Sequence, residues 1–212
     1  MNITATHGKA TRRFQRGLTL IELLISLILL GVVIAIGVPS FVTFTNNAQV
    51  TDETNRFVGD IQFARSQAIN RSIMVSMCRF DTVATACTQG GNCTCGTGAA
   101  NRAYEEGWLI YTNNDTDHIF EPAEGDILLR VASPSSGSVT IRGSDTGNRR
   151  FSFDATGAMH VQDQPGTAHV VCVNNSISDH DCRVVRTSAS GHVETRRISG
   201  STSITPNDHD FD

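Results

Sequence analysis

The chain has 212 residues, of which 39% are hydrophobic, and this length allows one globular domain with an anchor or at most two small domains. The formal net charge of −4 is unevenly distributed: residues 1–17 carry four basic residues and no acid, whereas the other 195 hold 13 basic and 21 acidic residues, a net of −8. Because phosphate binding depends on accumulated positive charge, the acidic body excludes non-specific adhesion to polyanions and leaves only a local arginine patch as a nucleic-acid surface.

The first predicted element is a long apolar helix. From Leu18 to Val38 the only charged residue is Glu22. These 21 residues, at a rise of ~1.5 Å each, span about 30 Å, which is enough to cross the core of a bilayer. The basic residues precede the run, so the positive-inside rule places the N-terminus in the cytoplasm and the body outside.

Three interpretations of this segment compete: a secretory signal peptide, a plain signal anchor, and a prepilin that is cut before the apolar run. The run is long for a signal peptide, and no Ala-x-Ala-type site follows it at residues 38–41. An unpaired carboxylate inside a hydrophobic helix is costly, so Glu22 requires a partner. Cleavage after Gly17 would create an α-amino group on Leu18, and this cation on a neighbouring subunit would neutralise Glu22. Only the prepilin interpretation explains the acid.

The residues around Glu22 also carry a specific resemblance. Residues 16–24, RGLTLIELL, are similar to the type III signal of prepilins. The resemblance implies that a membrane prepilin peptidase cleaves between Gly17 and Leu18 and methylates the new amine of Leu18, which stands where phenylalanine is usual. Gly31 and Pro39 fall where pilin helices commonly carry these residues. Pro39 removes one backbone donor and is expected to kink or loosen the helix where it leaves the membrane.

Beyond Pro39 the pattern stays helical to about Asn70, with apolar residues mostly at three- or four-residue steps: Phe41, Phe44, Ala48, Phe57, Ile61, Ala64 and Ala68. We expect this stripe to pack against a sheet. After Arg71 the period changes to two, which predicts strands over Ile73–Cys78, Trp108–Thr112, Ile127–Val131, Ser138–Arg142, Arg150–Phe153, Ala168–Val173 and Arg183–Thr187. The pattern predicts an α+β fold in which a long N-terminal helix packs on a small antiparallel β-sandwich or sheet.

The predicted organisation divides the chain into five segments. They are a cleaved leader at 1–17, a transmembrane helix half at 18–39, an amphipathic helix half at 40–70, a β-rich globular domain at 71–198 and a polar, mobile tail at 199–212.

Three stretches of the body resemble the FimT/GspH family of minor pilins and pseudopilins: residues 64–69 (ARSQAI), residues 107–111 (GWLIY) with the later 127–130 (ILLR), and residues 151–157 (FSFDATG). The resemblance implies a structural subunit that enters a type IV pilus or a type II secretion pseudopilus at low copy number. Its implied partners are other major and minor pilins or pseudopilins, the prepilin peptidase and the inner membrane. The implied location is the bacterial inner membrane, with a single pass and a periplasmic domain, before assembly.

An acidic loop between two predicted strands resembles an EF-hand in its spacing. Five residues fall at positions one, three, five, nine and twelve of such a loop: Asn113, Asp115, Asp117, Glu121 and Glu124. The match is imperfect, because Asn replaces Asp at position one and His118 replaces the glycine of the sharp turn. The loop is either a calcium site or a solvated acidic hairpin tip.

Six cysteines in a body that follows a membrane segment indicate disulfides in an oxidising compartment. Cys172 and Cys182 are expected to pair and to close a short loop between two late strands. Cys78 is then expected to bond within the group Cys87, Cys93 and Cys95, where several pairings stay open. A zinc site in that group is the weaker alternative, because metal clusters usually show Cys-x-x-Cys pairs.

The sequence does not predict an enzyme. His169, His180 and His192 are scattered, with no Gly-x-Ser-x-Gly elbow, phosphate-binding glycine loop or His-Glu-x-x-His motif beside them. We expect these histidines to lie inert on surface strands.

Four late arginines offer an alternative function. Some members of the FimT/GspH family, which this chain resembles, bind DNA through a C-terminal Gly-Arg-x-Arg segment. Residues 191–197 read GHVETRR, which is a degraded version of that motif. The four arginines would form a patch that contacts phosphates: Arg183, Arg186, Arg196 and Arg197. The other interpretation is that they are ordinary solvated strand ends.

Overall fold

The structure is a computed structural model that describes residues 19–79, 104–116, 120–133, 135, 139–143, 150–160, 168–173 and 182–198. Several predictions concern residues outside these ranges: the leader and its cleavage site between Gly17 and Leu18, the loop with Cys87, Cys93 and Cys95, the ligand Asp117, His180, and the tail 199–212. The described residues separate into two compact units, within Met1–Val42 and Thr43–Asp212.

One helix, α1, runs from Leu20 to Arg71. Thr19 caps its start, since the backbone N–H of Glu22 donates to Thr19 Oγ1 at 3.3 Å and that of Leu23 donates to the Thr19 carbonyl at 3.2 Å. In the first unit the large apolar side chains of α1 are exposed, from Leu20 to Val42. By length and composition α1 contains a stretch that is long and apolar enough to cross a membrane.

The described part of the second unit holds two antiparallel sheets of four strands each. Their strands are β1 Val75–Arg79, β2 Trp108–Thr112, β3 Leu128–Ala132, β4 Val139–Gly143, β5 Arg150–Phe153, β6 Ala168–Val173, β7 Cys182–Thr187 and β8 Val193–Ile198. The first sheet has the order β3-β2-β1-β5 and the second the order β4-β6-β7-β8. All seven predicted strands are present within two residues of their expected limits, and β8 is additional. The predicted α+β fold is confirmed.

The core of the second unit forms between one face of α1 and both sheets. Phe57, Ile61, Ala64 and Ala68 are fully buried at the predicted helical spacing. Phe57 lies at the centre, with its ring centroid 5.1 Å from that of Tyr104, 5.5 Å from Trp108 and 5.8 Å from Phe151. Full burial of such a side chain contributes about 1.5–3 kcal/mol. The stripe was therefore predicted correctly from Phe57 onward.

The prediction that the apolar stripe packs against a sheet was wrong for its first residues. Phe41 and Phe44 are 66% and 69% exposed, and Ala48 is exposed as well. The first helix position buried in the core is Val50. The spacing alone predicts a continuous apolar face, but a face is buried only as far as a sheet lies opposite it.

Candidate functional site

Glu22 lies in the first turn of α1 and is exposed. Its backbone is fully engaged in the helix start, because its N–H donates to Thr19 Oγ1 and its carbonyl accepts the Ser26 hydroxyl at 2.7 Å. Its neighbours along the helix are leucine and isoleucine side chains that are themselves exposed. The arrangement presents a single carboxylate on an apolar helix surface. Gly17 and Leu18, the other two residues of this predicted site, lie outside the described residues.

The acidic loop between β2 and β3 is held by Asp126. Its carboxylate accepts the backbone N–H of Asn114 and that of Glu121, both at 3.1 Å, so it ties the two sides of the loop together. Asp115, Glu121 and Glu124 then bring one carboxylate oxygen each to within 4.8 Å of one another. Three carboxylates at this spacing match the hard oxygen ligands that Ca²⁺ prefers.

Asn113 departs from the predicted set of calcium ligands. It is 1% exposed, and its Nδ2 donates to Ser76 Oγ at 3.2 Å, on strand β1. The side chain therefore extends into the packed sheet, whereas Asp115 and Glu124 are exposed. Asn113 directly follows β2 and shares the strand face of Leu109 and Tyr111, which belong to a buried cluster of the first sheet.

Calcium binding stays a prediction, and calorimetry tests it. If the three carboxylates hold Ca²⁺, titration of the purified protein gives a binding heat that is lost in the double variant Glu121→Gln/Glu124→Gln. Glu194→Gln, on strand β8, is the matched control and should leave the heat unchanged. Equal traces for the wild type and the double variant would assign the loop to a solvated acidic tip.

The predicted disulfide is confirmed. Cys172 and Cys182 are bonded across β6 and β7 with a Cα–Cα distance of 4.7 Å. The bond lies in an outer apolar cluster of the second sheet, together with Val170, Val184 and Ile198. Cys78 is also disulfide-bonded, and its partner lies outside the described residues.

The four late arginines do not form one patch. In the register of β7 and β8, Arg183 lies opposite Arg197, Val184 opposite Arg196 and Arg186 opposite Glu194. Because successive side chains of a strand point to opposite faces, Arg183 and Arg197 share one face, whereas Arg186 and Arg196 share the other. The first pair faces α1, since Arg183 Nη2 donates to Thr51 Oγ1 at 3.1 Å. The second pair lines an outer hollow with Val184 and Glu194.

A residue that the sequence analysis did not single out, Arg65, joins two turns of the β domain. Its Nε donates to the carbonyl of Gly157 at 2.8 Å and its Nη2 to that of Ser190 at 2.9 Å. Gly157 and Gly191 have φ values of +79° and +76°, which favour glycine. Two of the stretches that carry the family resemblance, ARSQAI and FSFDATG, therefore meet here.

The first of these turns is reinforced by Asp154. Its Oδ1 accepts the hydroxyl and the backbone N–H of Thr156 at 2.6 and 2.8 Å, and the N–H of Ala158 at 3.1 Å. Partial burial raises the pKa of this carboxyl, but the hydrogen bonds from Thr156, Ala158 and Gly157 together outweigh burial and hold the pKa below its usual range. The ionised form thus stabilises the turn.

A second polar junction links α1 to the first sheet. The Trp108 indole N–H donates to Asp60 Oδ2 at 2.8 Å, and the guanidinium of Arg130 also binds the Asp60 carboxylate. Arg130 in turn lies over the ring of Phe63, 3.9 Å from its centroid. Trp108 and Arg130 belong to the stretches GWLIY and ILLR, so these residues serve helix–sheet packing.

His169 is a correction, because it is 1% exposed and not on the surface. Its ring lies 4.8 Å from that of Phe151, 5.4 Å from Tyr104 and 5.5 Å from Phe57. Neither ring nitrogen has a hydrogen-bond partner among the residues that the structure describes. Burial lowers the pKa of His169 to about 3, so the imidazole is neutral at ordinary pH. The sequence contained a sign of this burial. His169 lies two and four positions before the apolar Val171 and Val173 on β6, which is the spacing of residues on one face of a strand.

The family model described as Type II transport protein GspH matches residues 53–191, and the model of the prokaryotic N-terminal methylation motif matches residues 12–38. No curated protein matches the chain.

Among solved structures, the type IV minor pilin FimU of Pseudomonas aeruginosa (strain PAO1), in space group P21, is 15% identical and has a TM-score of 0.52, with 72% of this chain and 92% of that chain covered. A second crystal form of FimU, in space group P65, is 16% identical with a TM-score of 0.45, covering 69% and 90% of the two chains. At 15% identity the first likeness shows a shared fold. Because the GspH model matches well over half of the present chain, this chain belongs to the GspH family, and it carries the N-terminal methylation motif of pilin-like proteins.

Proposed function

We propose that this chain is a minor pilin or pseudopilin, a structural subunit that is incorporated into a type IV pilus or a type II secretion pseudopilus. Membership of the GspH family and the methylation motif support this role. In the proposed pathway the chain is cut after Gly17, the amine of Leu18 is methylated, and residues 18–39 anchor it in the inner membrane until assembly. The role is structural, and no residue is assigned to catalysis.

The observation that carries the proposal is the single carboxylate of Glu22 on an exposed apolar helix. An ionised carboxylate surrounded by hydrocarbon requires a cation, since an unpaired charge at membrane depth is costly. The α-amine of Leu18 on a neighbouring subunit supplies that cation in a packed helix bundle. At about 4 Å and an effective dielectric constant of about 20, the Coulomb attraction within such a pair is about 4 kcal/mol, before the desolvation of the two charges is subtracted. The pair would thus set the register between adjacent helices.

The proposed topology places the β domain in the periplasm. The four basic residues of the leader precede the apolar run and favour the cytoplasmic side. The Cys172–Cys182 disulfide suits an oxidising compartment. Other major and minor subunits are then the partners of the assembled protein, and the prepilin peptidase acts on it first.

Substitutions at the two ends of the site test the proposal. Replacing Gly17 should leave the leader attached, which mass spectrometry of the purified protein detects. Glu22→Ala should be processed normally but incorporated about tenfold less or worse, since the loss of the ion pair exceeds about 1.4 kcal/mol. Ser40→Ala, at an exposed position further along α1, is the matched control and should assemble normally. Normal incorporation of the Glu22 variant would contradict the registry role.

DNA binding through the late arginines is the second proposed function, and the split of the arginines makes its test sharper. A DNA surface on one face of β7 and β8 would engage either Arg183 with Arg197 or Arg186 with Arg196. In a gel shift, Arg196→Ala and Arg197→Ala should therefore weaken DNA binding unequally. Substitution of the residue that contacts a phosphate should reduce the salt dependence of the binding constant by about one unit of slope. A wild-type protein that causes no shift leaves assembly as the function.

A further inference from the structure

An open groove lies between α1 and the second sheet, within the second unit. We call it the α1–β8 groove, and its volume is about 480 Å³. Its wall on the helix includes Phe44, Asn47, Thr51 and Asn55, and its wall on the sheet is formed by Arg183 and Arg197. Such a volume falls within the range of pockets that take ligands, about 300–1,000 Å³.

The charge of the groove favours an anionic occupant. Arg183 and Arg197 are directly opposite each other across β7 and β8, and like charges in that position repel. Arg183 uses one of its five N–H donors on Thr51 Oγ1. Asp52 is the only acid among the groove-lining residues that the structure describes. A carboxylate placed near the two guanidinium groups would accept charge-assisted hydrogen bonds from them, since each guanidinium carries several N–H donors.

One of the two strands in the sheet wall, β8, lies at the edge of the described sheet. Among the described strands β8 is last in the order β4-β6-β7-β8, so its outer side has no neighbouring strand there. Four of its six residues, 194–197, are exposed. An edge strand presents unpaired backbone N–H and C=O groups that can pair with an added strand. The amides of Asn47 and Asn55, across the groove, offer further donors and acceptors to a peptide backbone.

We propose that the α1–β8 groove receives an extended acidic segment of a partner subunit, which pairs with β8 as an added strand. Alternate side chains of that strand point into the groove, where a glutamate or aspartate meets Arg183 and Arg197. In this arrangement Phe44, which lines the groove, packs against an apolar side chain of the partner segment next to its acidic residue. The inference rests on the proposed role as an assembly subunit and names the chemistry of one partner contact.

A peptide-binding experiment on the full chain in detergent tests the proposal. The probe is a fluorescent peptide, acetyl-Thr-Glu-Val-Glu-Val-Thr-amide, and its matched control replaces both Glu by Gln. Anisotropy should show binding of the acidic peptide only, weakening between about 50 mM and about 500 mM salt because exposed charges are screened. A peptide N-methylated on alternate backbone amides should bind more weakly, since it cannot complete the strand ladder.

Variants locate the site. Arg183→Gln/Arg197→Gln should lower the affinity by about tenfold or more, as expected for the loss of charged partners. Arg186→Gln/Arg196→Gln removes the same charge from the opposite face and should leave the affinity unchanged. Circular dichroism confirms that each variant is folded. Equal loss in both variants, binding of the neutral peptide, or no binding at all would overturn the proposal.

Two further outcomes identify a different occupant. If a chain ending at Ile198 binds the peptide and the full chain does not, residues 199–212, which include Asp208, Asp210 and Asp212, fill the groove instead of a partner. If an oligonucleotide displaces the peptide more strongly than the free peptide does, the groove binds nucleic acid. Either result overturns the partner assignment. Peptide binding does not require cleavage after Gly17 or the Glu22 pair, so its failure is distinguishable from failure of the assembly role.

Discussion

Gly191→Ala is expected to lower the free energy of unfolding by about 2–5 kcal/mol. Its backbone has φ +76°, which costs an L-residue about 1–2 kcal/mol. An added Cβ would overlap the backbone oxygen of Gly157 and would lie 2.8 Å from Arg65 Nε. The first contact is with backbone, so the turn itself must move, at a further cost of about 1–3 kcal/mol. The displacement would also weaken the two hydrogen bonds by which Arg65 joins the turns.

Alanine substitutions at two other glycines serve as comparisons for Gly191→Ala. Gly157→Ala meets mainly the end of the Ile69 side chain, at 2.6 Å, which can rotate away, so a smaller loss is expected. Gly59→Ala lies inside α1 with nothing within 4 Å of the new Cβ, and should stabilise the protein by about 0.5–1 kcal/mol. Urea unfolding of the three variants measures the order. A Gly191 variant as stable as the wild type would show that the turn junction does not contribute to stability.

The β domain is expected to lose stability in mild acid because of His169. The pKa of this residue is about 3 in the folded protein against 6.5 for the free group, so between these values only the unfolded chain takes up the proton. Stability is therefore unaffected above pH 6.5 and falls with decreasing pH below it. The slope is about 1.4 kcal/mol per pH unit, which amounts to roughly 2.7 kcal/mol at about pH 4.5.

His169→Phe should remove this acid sensitivity. Phenylalanine suits a position that contacts the rings of Phe57, Tyr104 and Phe151. It also removes two buried nitrogens that have no hydrogen-bond partner among the described residues. Urea unfolding between about pH 7 and about pH 4.5 should give a flatter profile for this variant. His192→Gln, which removes an exposed imidazole, is the control and should follow the wild type. Parallel profiles for His169→Phe and the wild type would exclude His169 as the cause.

Strand prediction succeeded where burial produces a regular signal. β2, β5 and β6 have the predicted limits. β2 and β6 are mostly apolar, whereas β5 alternates phenylalanine with polar residues. β8 was missed, because its sequence VETRRI is mostly exposed at the sheet edge and has no inner apolar row to mark it. An edge strand is defined by the backbone of its neighbour, here β7, and a single sequence does not contain that information directly.

Features whose residues lie close together in the sequence could be identified from the sequence alone. The predicted cleavage motif, the apolar run and Glu22 lie within residues 16–38, and their interpretation needs only a helix. The Cys172–Cys182 pair was also predictable, because a short loop brings two neighbouring strands together.

The sequence by itself determined the long apolar N-terminal helix, the α+β class, most strands and the family. Only the tertiary structure decided that Arg183 and Arg197 face α1 while Arg186 and Arg196 face outward, that His169 is buried, and that Arg65 joins two distant turns. The reason is physical. Periodicity assigns side chains to alternate faces of a strand, but which face is buried depends on strand order and on what packs opposite, and these contacts join residues up to 132 positions apart.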